Sequence, residues 1–365
     1  MPNNADDGQE LELLLEQLLP QSKSIGFLGE IPCPVKLAFR EAYDAYCAAH
    51  PGEFTAYIPT TCGLENTEAG RSILRELVSG PEADLPEMVL SFGLRDFFME
   101  PILHRVLNSE RCHTPVPFKE AEPYEKLGLQ DPEGIFTVFS SLPMVLVADL
   151  RLLGDLPMPR QWGDLLDPIY KGRLCFPPGE EDSMEALPLI HFHRNFGDEG
   201  LRMLAANVAE FTCGSKVAMK VGTGKSTCAI SAVTWFFANA AVKNGGVRLI
   251  LPEDGAFLNP VYLASVRRPS PGIEKLRSFL LSDEMAAVWD RNFYPAVSSS
   301  IRSALPPMMT LQWMGWDYIR SHSIREYIRE LQRTFASYWR EAHQTRSPTW
   351  GRKVARISAA QKNMI

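Results

Sequence analysis

From Ile25 onward, short apolar runs alternate with stretches in which apolar residues recur every three or four positions. Ile25–Leu28 predicts a strand. Val35, Ala38, Phe39, Ala42, Tyr43 and Tyr46 behind it share one helical face. Phe54–Ile58 predicts a second strand, followed by the polar turn Pro59–Gly63, a helix from Glu65 to Val78, and a third strand at Met88–Ser91. Strand and helix in alternation predict a parallel sheet with crossover helices. Residues 108–133 are rich in proline and charge and read as an irregular surface excursion.

Two further strands are predicted at Phe136–Phe139 and Met144–Ala148, where the chain crosses to a second lobe. Inside that lobe the pattern gives strands at Arg173–Phe176 and Cys228–Ala232 and helices at Ala186–Phe196 and Glu199–Glu210. Val247–Leu251 is the return strand. Tyr262–Val266 and one helix over Gly272–Trp289 rejoin the first lobe. The expected division is an N-terminal helical arm (1–24), lobe 1 (25–145 plus 252–300), lobe 2 (146–251), a C-terminal helical extension (301–341) and a basic tail (342–365). The extension carries an aromatic helical stripe of Ile324, Ile328, Leu331, Phe335 and Trp339.

Composition narrows the class. Of the 365 residues, 45% are hydrophobic and 22% charged, and the formal net charge is −7. An acidic chain lacks the basic surface that general nucleic-acid binding needs. No run approaches the 18 or so apolar residues of a membrane span. Residues 6–16 hold five acids and no base, which is no export signal and favours the cytoplasm, with an extracytoplasmic site as the alternative if the N-terminus is processed. Seven cysteines at irregular spacing predict reduced thiols, with Cys47, Cys175, Cys213 and Cys228 as small buried hydrophobes.

Two phrases are distinctive: Pro159-Arg-Gln-Trp162-Gly-Asp-Leu-Leu-Asp-Pro168-Ile-Tyr-Lys-Gly172-Arg-Leu and Leu251-Pro-Glu-Asp-Gly255. With Leu280-Leu-Ser-Asp-Glu-Met and Asn292-Phe-Tyr-Pro295-Ala-Val, they resemble the type II solute-binding proteins of ABC importers, in the ferric-iron/polyamine-like group. The resemblance spans roughly residues 25–300 and is weak before 85. It implies an α/β fold of two lobes, each a mainly parallel sheet flanked by helices, with the ligand held between them by hinge closure. It implies no catalysis and no cofactor. The partners it implies are a small-molecule ligand and an ABC permease, or a signalling partner if the chain is a sensor. Ferric receptors of this group carry two adjacent tyrosines, whereas the matching stretch here is Trp235-Phe236-Phe237, so phenolate iron binding is not expected.

The ligand site is expected at strand ends and helix starts, from Cys33, Thr61, Ser91, Gly93, Ser141, Ser183, Lys225 and Thr227. Free N–H groups converge at such places and favour a polar or anionic solute. Gly222-Thr-Gly-Lys225-Ser-Thr227 lacks the first glycine of a phosphate loop, because Met219 stands there, so no nucleotide binding is expected. Cys33, just ahead of a helix, could be a reactive thiolate. With Cys62 it offers at most a weak metal pair, short of the four ligands of a closed zinc site. A cytoplasmic enzyme or a metallochaperone built on Cys33 and Cys62 is therefore the rival reading. The sequence holds no G-x-S-x-G, H-E-x-x-H or Cys-His catalytic pattern.

Overall fold

The computed structural model describes residues 25–61, 63–177 and 187–343. The predicted arm, Cys62, Ser183 and nearly all of the basic tail lie outside these residues. In chain order the first half of lobe 1 comprises β1 (Phe27–Gly29), α1 (Cys33–Ala49), β2 (Ala56–Tyr57), α2 (Glu68–Ser79), β3 (Met88–Phe92) and α3 (Glu100–Arg105). The crossing strand β4 (Phe136–Asp149) leads into α4 (Leu150–Leu153), β5 (Leu174–Phe176), α5 (Leu187–Asn207), β6 (Val208–Phe211), α6 (Gly214–Lys220), β7 (Ile230–Thr234), α7 (Trp235–Ala241) and β8 (Val247–Ile250). The return strand β9 (Ala256–Ser265) is followed by α8 (Pro271–Leu280), α9 (Asp283–Arg291), β10 (Leu311–Gln312), α10 (Trp316–Arg320) and α11 (Ile324–Ala342).

Backbone pairing is continuous across the described residues, in the order β2-β1-β3-β9-β4-β7-β5-β6, with β10 beside β9 and β8 beside β4. The two lobes therefore do not own separate sheets, as the sequence suggested. They share β4 and β9, which run through both and pair antiparallel from Phe136↔Ala264 to Met144↔Phe257. The two strands expected on either side of Pro143 are one strand of 14 residues. Its register slips between Val138 and Ser140, and such a bulge bends a strand without ending it. Every residue of β4 and of β9 is buried, so both read as continuous apolar runs with no surface alternation to mark them.

Other departures have local causes. The helix expected over Gly272–Trp289 is two, because the Ser282 side chain accepts from the Met285 amide and starts α9 afresh. In α5 the backbone breaks at Gly197 (φ 64°), between the two helices expected there. The second half stops at Asn207 because Val208–Phe211 pairs with β5 instead. The 108–133 excursion is not mere surface. Tyr124 and Leu129 are fully buried in it, and the Asp131 carboxylate accepts from the Ile135 and Phe136 amides at the start of β4.

Gly70 shows how tightly lobe 1 is closed. A Cβ there would lie 2.0 Å from the Leu64 carbonyl oxygen, which is backbone and cannot rotate away. Helix propensity alone would make Gly70→Ala stabilising by about 1 kcal/mol. The clash makes the opposite sign the expected result, a loss of about 1–3 kcal/mol in urea unfolding.

Candidate functional site

The pairing register fixes where the strands end. β1, β2 and β3 run parallel, and the last residue of β3, Phe92, sits opposite Val261 of β9, beside Ser140 and Ser141 of β4. In lobe 2, β5, β6 and β7 are also parallel, and the last residue of β7, Thr234, sits opposite Met144. The carboxyl ends of both sets therefore converge where β4 and β9 pass between the lobes. Open α/β sheets bind ligands at such ends. Lobe 1 brings Glu30–Cys33, Pro59–Thr61 and Gly93–Asp96 to this place. Lobe 2 brings Thr212–Gly214 and Thr234–Phe237.

The predicted site residues fare unevenly. Cys33 is exposed at the start of α1, on the cleft side, but it is disulfide-bonded. It is therefore no thiolate, and the reading of uniformly reduced cysteines is corrected. The five other described cysteines are free. Cys112, Cys175 and Cys228 are buried, while Cys47 and Cys213 are half-buried. Thr61 is half-buried, its hydroxyl donating to the Gly63 carbonyl at 3.0 Å.

Ser91 and Ser141 are fully buried. Ser91 donates to Glu30 Oε2 at 2.6 Å, and Ser141 Oγ lies 2.8 Å from the Tyr124 hydroxyl. The Gly93 amide is taken by the Pro260 carbonyl at 2.8 Å. Each of these three groups has a partner within the protein, which ties the strand ends and the crossing strands together.

Lys225 and Thr227 are misplaced by the sequence reading. They precede β7, whose first residue Ile230 pairs with Ala148, at the end of lobe 2 far from the hinge. Thr227 donates to Glu210 at 2.5 Å, and the Gly222 amide donates to Asp149 Oδ2 at 2.9 Å. The loop opens a strand, not the helix that a phosphate loop requires.

The structure supplies groups that sequence reasoning missed. Lys36, one turn into α1, donates to the carbonyls of Pro59, Thr60 and Thr61. Burial, then Arg40, lowers its pKa to about 8. Behind the cleft-facing ends lies a charge cluster in which Glu30, Glu65 and Asp96 bring carboxylate oxygens within 4.8 Å of one another. Arg95 pairs with Glu65 at 2.6 Å, and Arg325 lies 3.7 Å from Asp96. Burial, then Glu30 and Glu65, raises Asp96 to about 8. Two guanidiniums already compensate these acids, so the donor set does not fit a resident metal ion.

Across the hinge, Phe236 of lobe 2 meets Phe293 of lobe 1 edge-on at 6.2 Å. Phe293 is the one described non-glycine residue with positive φ (62°). Only contacts made after folding reveal these groups. The signal available in sequence for Lys36 was its place one turn beyond Cys33.

The two distinctive phrases meet one another. Trp162 donates its indole N–H to the Gly255 carbonyl at 2.9 Å and its amide to Asp254 at 3.2 Å. The Glu253 amide returns to the Arg160 carbonyl at 2.8 Å.

Among solved structures, a Bordetella ferric binding protein aligns with 14% identity over 87% of this chain and 99% of its own, at a TM-score of 0.59. Iron-bound HitA from Pseudomonas aeruginosa aligns with 13% identity over 86% and 99%, at 0.61. A structure titled as a two-component system protein that mediates signal transduction aligns with 15% identity over 85% and 100%, at 0.59. At such identity these likenesses establish the fold, a two-lobed periplasmic-binding-protein architecture. A sequence search of curated proteins finds no match.

The profile of the bacterial extracellular solute-binding protein family matches residues 83–322, well over half of the chain. That family works outside the cytoplasm, which does not support the compartment favoured by the acidic N-terminus, and nothing in it supports the enzyme alternative. The chain belongs to the bacterial extracellular solute-binding protein family.

Proposed function

We propose that this protein captures a small polar or anionic organic solute between its lobes, outside the cytoplasm, and delivers it to the permease of an ABC importer without chemical change. The observation that carries this reading is the convergence of both sets of parallel strand ends on the hinge. The start of α1 and the half-buried Lys36 give that region a positive bias. The Cys33 disulfide fits an oxidising compartment.

The ferric cargo named for the neighbours does not carry over. The adjacent phenols are replaced by Phe236 and Phe237, and the acids nearest the cleft are neutralised by Arg95 and Arg325. A sensor role is the second reading, favoured by the fold shared with the signal-transduction protein. Capture works by differential stabilisation of the closed state in either case.

The test is mass spectrometry of small molecules released from gently purified protein, followed by titration of the solute so identified. Lys36→Met is expected to weaken binding roughly tenfold, the scale of one lost charge-assisted hydrogen bond. Lys225→Met, at the far end of lobe 2, leaves affinity unchanged. Equal affinities for wild type and Lys36→Met, or a loss in Lys225→Met instead, would falsify the placement. Turnover of the bound solute would overturn the binding role.

A further inference from the structure

The sequence led to an expectation of two chain crossings between the lobes, and the structure contains a third. Segment 313–323 is fastened to lobe 1 and also touches lobe 2, where Arg194 of α5 donates to the Met314 carbonyl at 2.8 Å and lies 4.8 Å from the Tyr318 ring. Trp316 stacks on Phe136 at 5.4 Å and donates its indole N–H to the Leu129 carbonyl at 2.8 Å. Arg320 pairs with Asp131 at 2.5 Å and with Glu133 at 3.1 Å.

Helix α11 then leaves for lobe 2. Tyr327 Oη meets His193 Nδ1 at 2.6 Å, and Phe335 and Trp339 pack edge-on against Phe211 at 6.0 and 5.6 Å. Trp339 donates to the Val208 carbonyl at 2.8 Å, and Glu341 pairs with Arg202 at 3.1 Å. At 19 residues without proline or glycine, α11 is a rod of about 28 Å. Its lobe-2 contact is broad and largely apolar.

Its polar contacts with lobe 1 lie at its first turn. The Ser323 hydroxyl donates to Glu100, and the buried Arg325 guanidinium lies 3.7 Å from Asp96. Both contacts sit beside the short 321–323 joint between α10 and α11. A rod fixed to lobe 2 cannot follow lobe 1 through a hinge rotation, so one of its attachments must yield. Polar contacts at the first turn of α11 yield before a row of packed aromatics. Asp96 also belongs to the cluster in which Glu30 holds the Ser91 hydroxyl and the Leu64 amide. The attachment is therefore built into the cleft-facing ends of lobe 1.

We propose that α11 is an inter-lobe brace and that the Arg325–Asp96 contact is its latch, limiting how far the unliganded cleft opens. The inference rests on the two-lobed hinge and not on the identity of the solute, and its test uses no solute. Full-length wild type, Asp96→Asn and Arg325→Met are compared at pH 9, above the folded value of Asp96 of about 8 so that the wild-type carboxylate is charged, by small-angle scattering and by hydrogen exchange of residues 324–329.

Both variants should show a larger radius of gyration than wild type and roughly tenfold faster exchange in that turn. The double variant should go no further, because each substitution removes the same contact. Asp96→Asn keeps the side-chain volume and decides the matter if Arg325→Met fails to fold. A radius of gyration and an exchange rate unchanged in folded Asp96→Asn overturn the latch. A larger radius with unaltered exchange in α11 assigns the opening to the Glu30 cluster and overturns the brace.

Discussion

Trp162→Ala is expected to cost about 3–5 kcal/mol in urea unfolding, the range for emptying a large aromatic site. The indole is fully buried and stacks on Phe257 at 4.0 Å, and His191 covers the opposite face of that ring at 4.1 Å. Removing it leaves a cavity at the lobe-2 end of β9. It also strands the Gly255 carbonyl, which accepts the indole N–H. Gly255 has φ 103°, a conformation that other residues reach only with strain, so the turn cannot easily reshape around the loss. Trp162→Phe keeps most of the stack and loses the hydrogen bond, and should cost about 1–2 kcal/mol. A cost below about 1 kcal/mol for Trp162→Ala would show that the two phrases do not depend on each other. In a two-lobed protein the unfolding transition must be followed by two probes, since the lobes need not melt together.

The second large effect is on pH dependence. Asp96 is buried among Glu30, Glu65, Arg95 and Arg325, with Tyr262 close by. Its folded value of about 8 lies far above the ordinary carboxylate value of about 3.9. Between the two the folded state binds the extra proton. Its contribution is complete at low pH and is lost as pH rises toward 8.

His191 does the reverse. Burial, then Arg194, pushes it down to about 3, so its contribution is complete above about 6.5 and is lost on acidification. The two oppose one another below about 6.5, and only Asp96 acts between about 6.5 and 8. Asn at position 96 mimics the protonated acid. The stability of wild type should therefore fall relative to Asp96→Asn by on the order of 1–2 kcal/mol over that interval, at most about 1.4 kcal/mol per pH unit. Groups common to both proteins cancel in the difference. Parallel profiles for the two proteins between pH 6.5 and 8 would show Asp96 ionised in the fold.

The order of elements, the two-lobed class and the family could be read in the sequence because they rest on local information. Helical spacing in α1 and α11, the helix break near Gly197 and the two phrases around Trp162 and Gly255 are properties of neighbouring residues. The phrases were legible as words, but their pairing across some ninety residues was not.

The candidate site was mostly illegible for the same reason. Ser91, Gly93 and Ser141 have the residue types of ligand contacts, and nothing local reveals that Glu30, Pro260 and Tyr124 have already claimed their polar atoms. Lys225 and Thr227 lie near a strand, but which end faces the hinge is set by antiparallel pairing of β7 with β4, a long-range choice. The Arg325–Asp96 pair also joins distant segments. Sequence determined which segments bury which faces, because burial follows periodicity. Tertiary structure alone decided which buried polar groups meet, because each must find a partner that only the folded chain brings near.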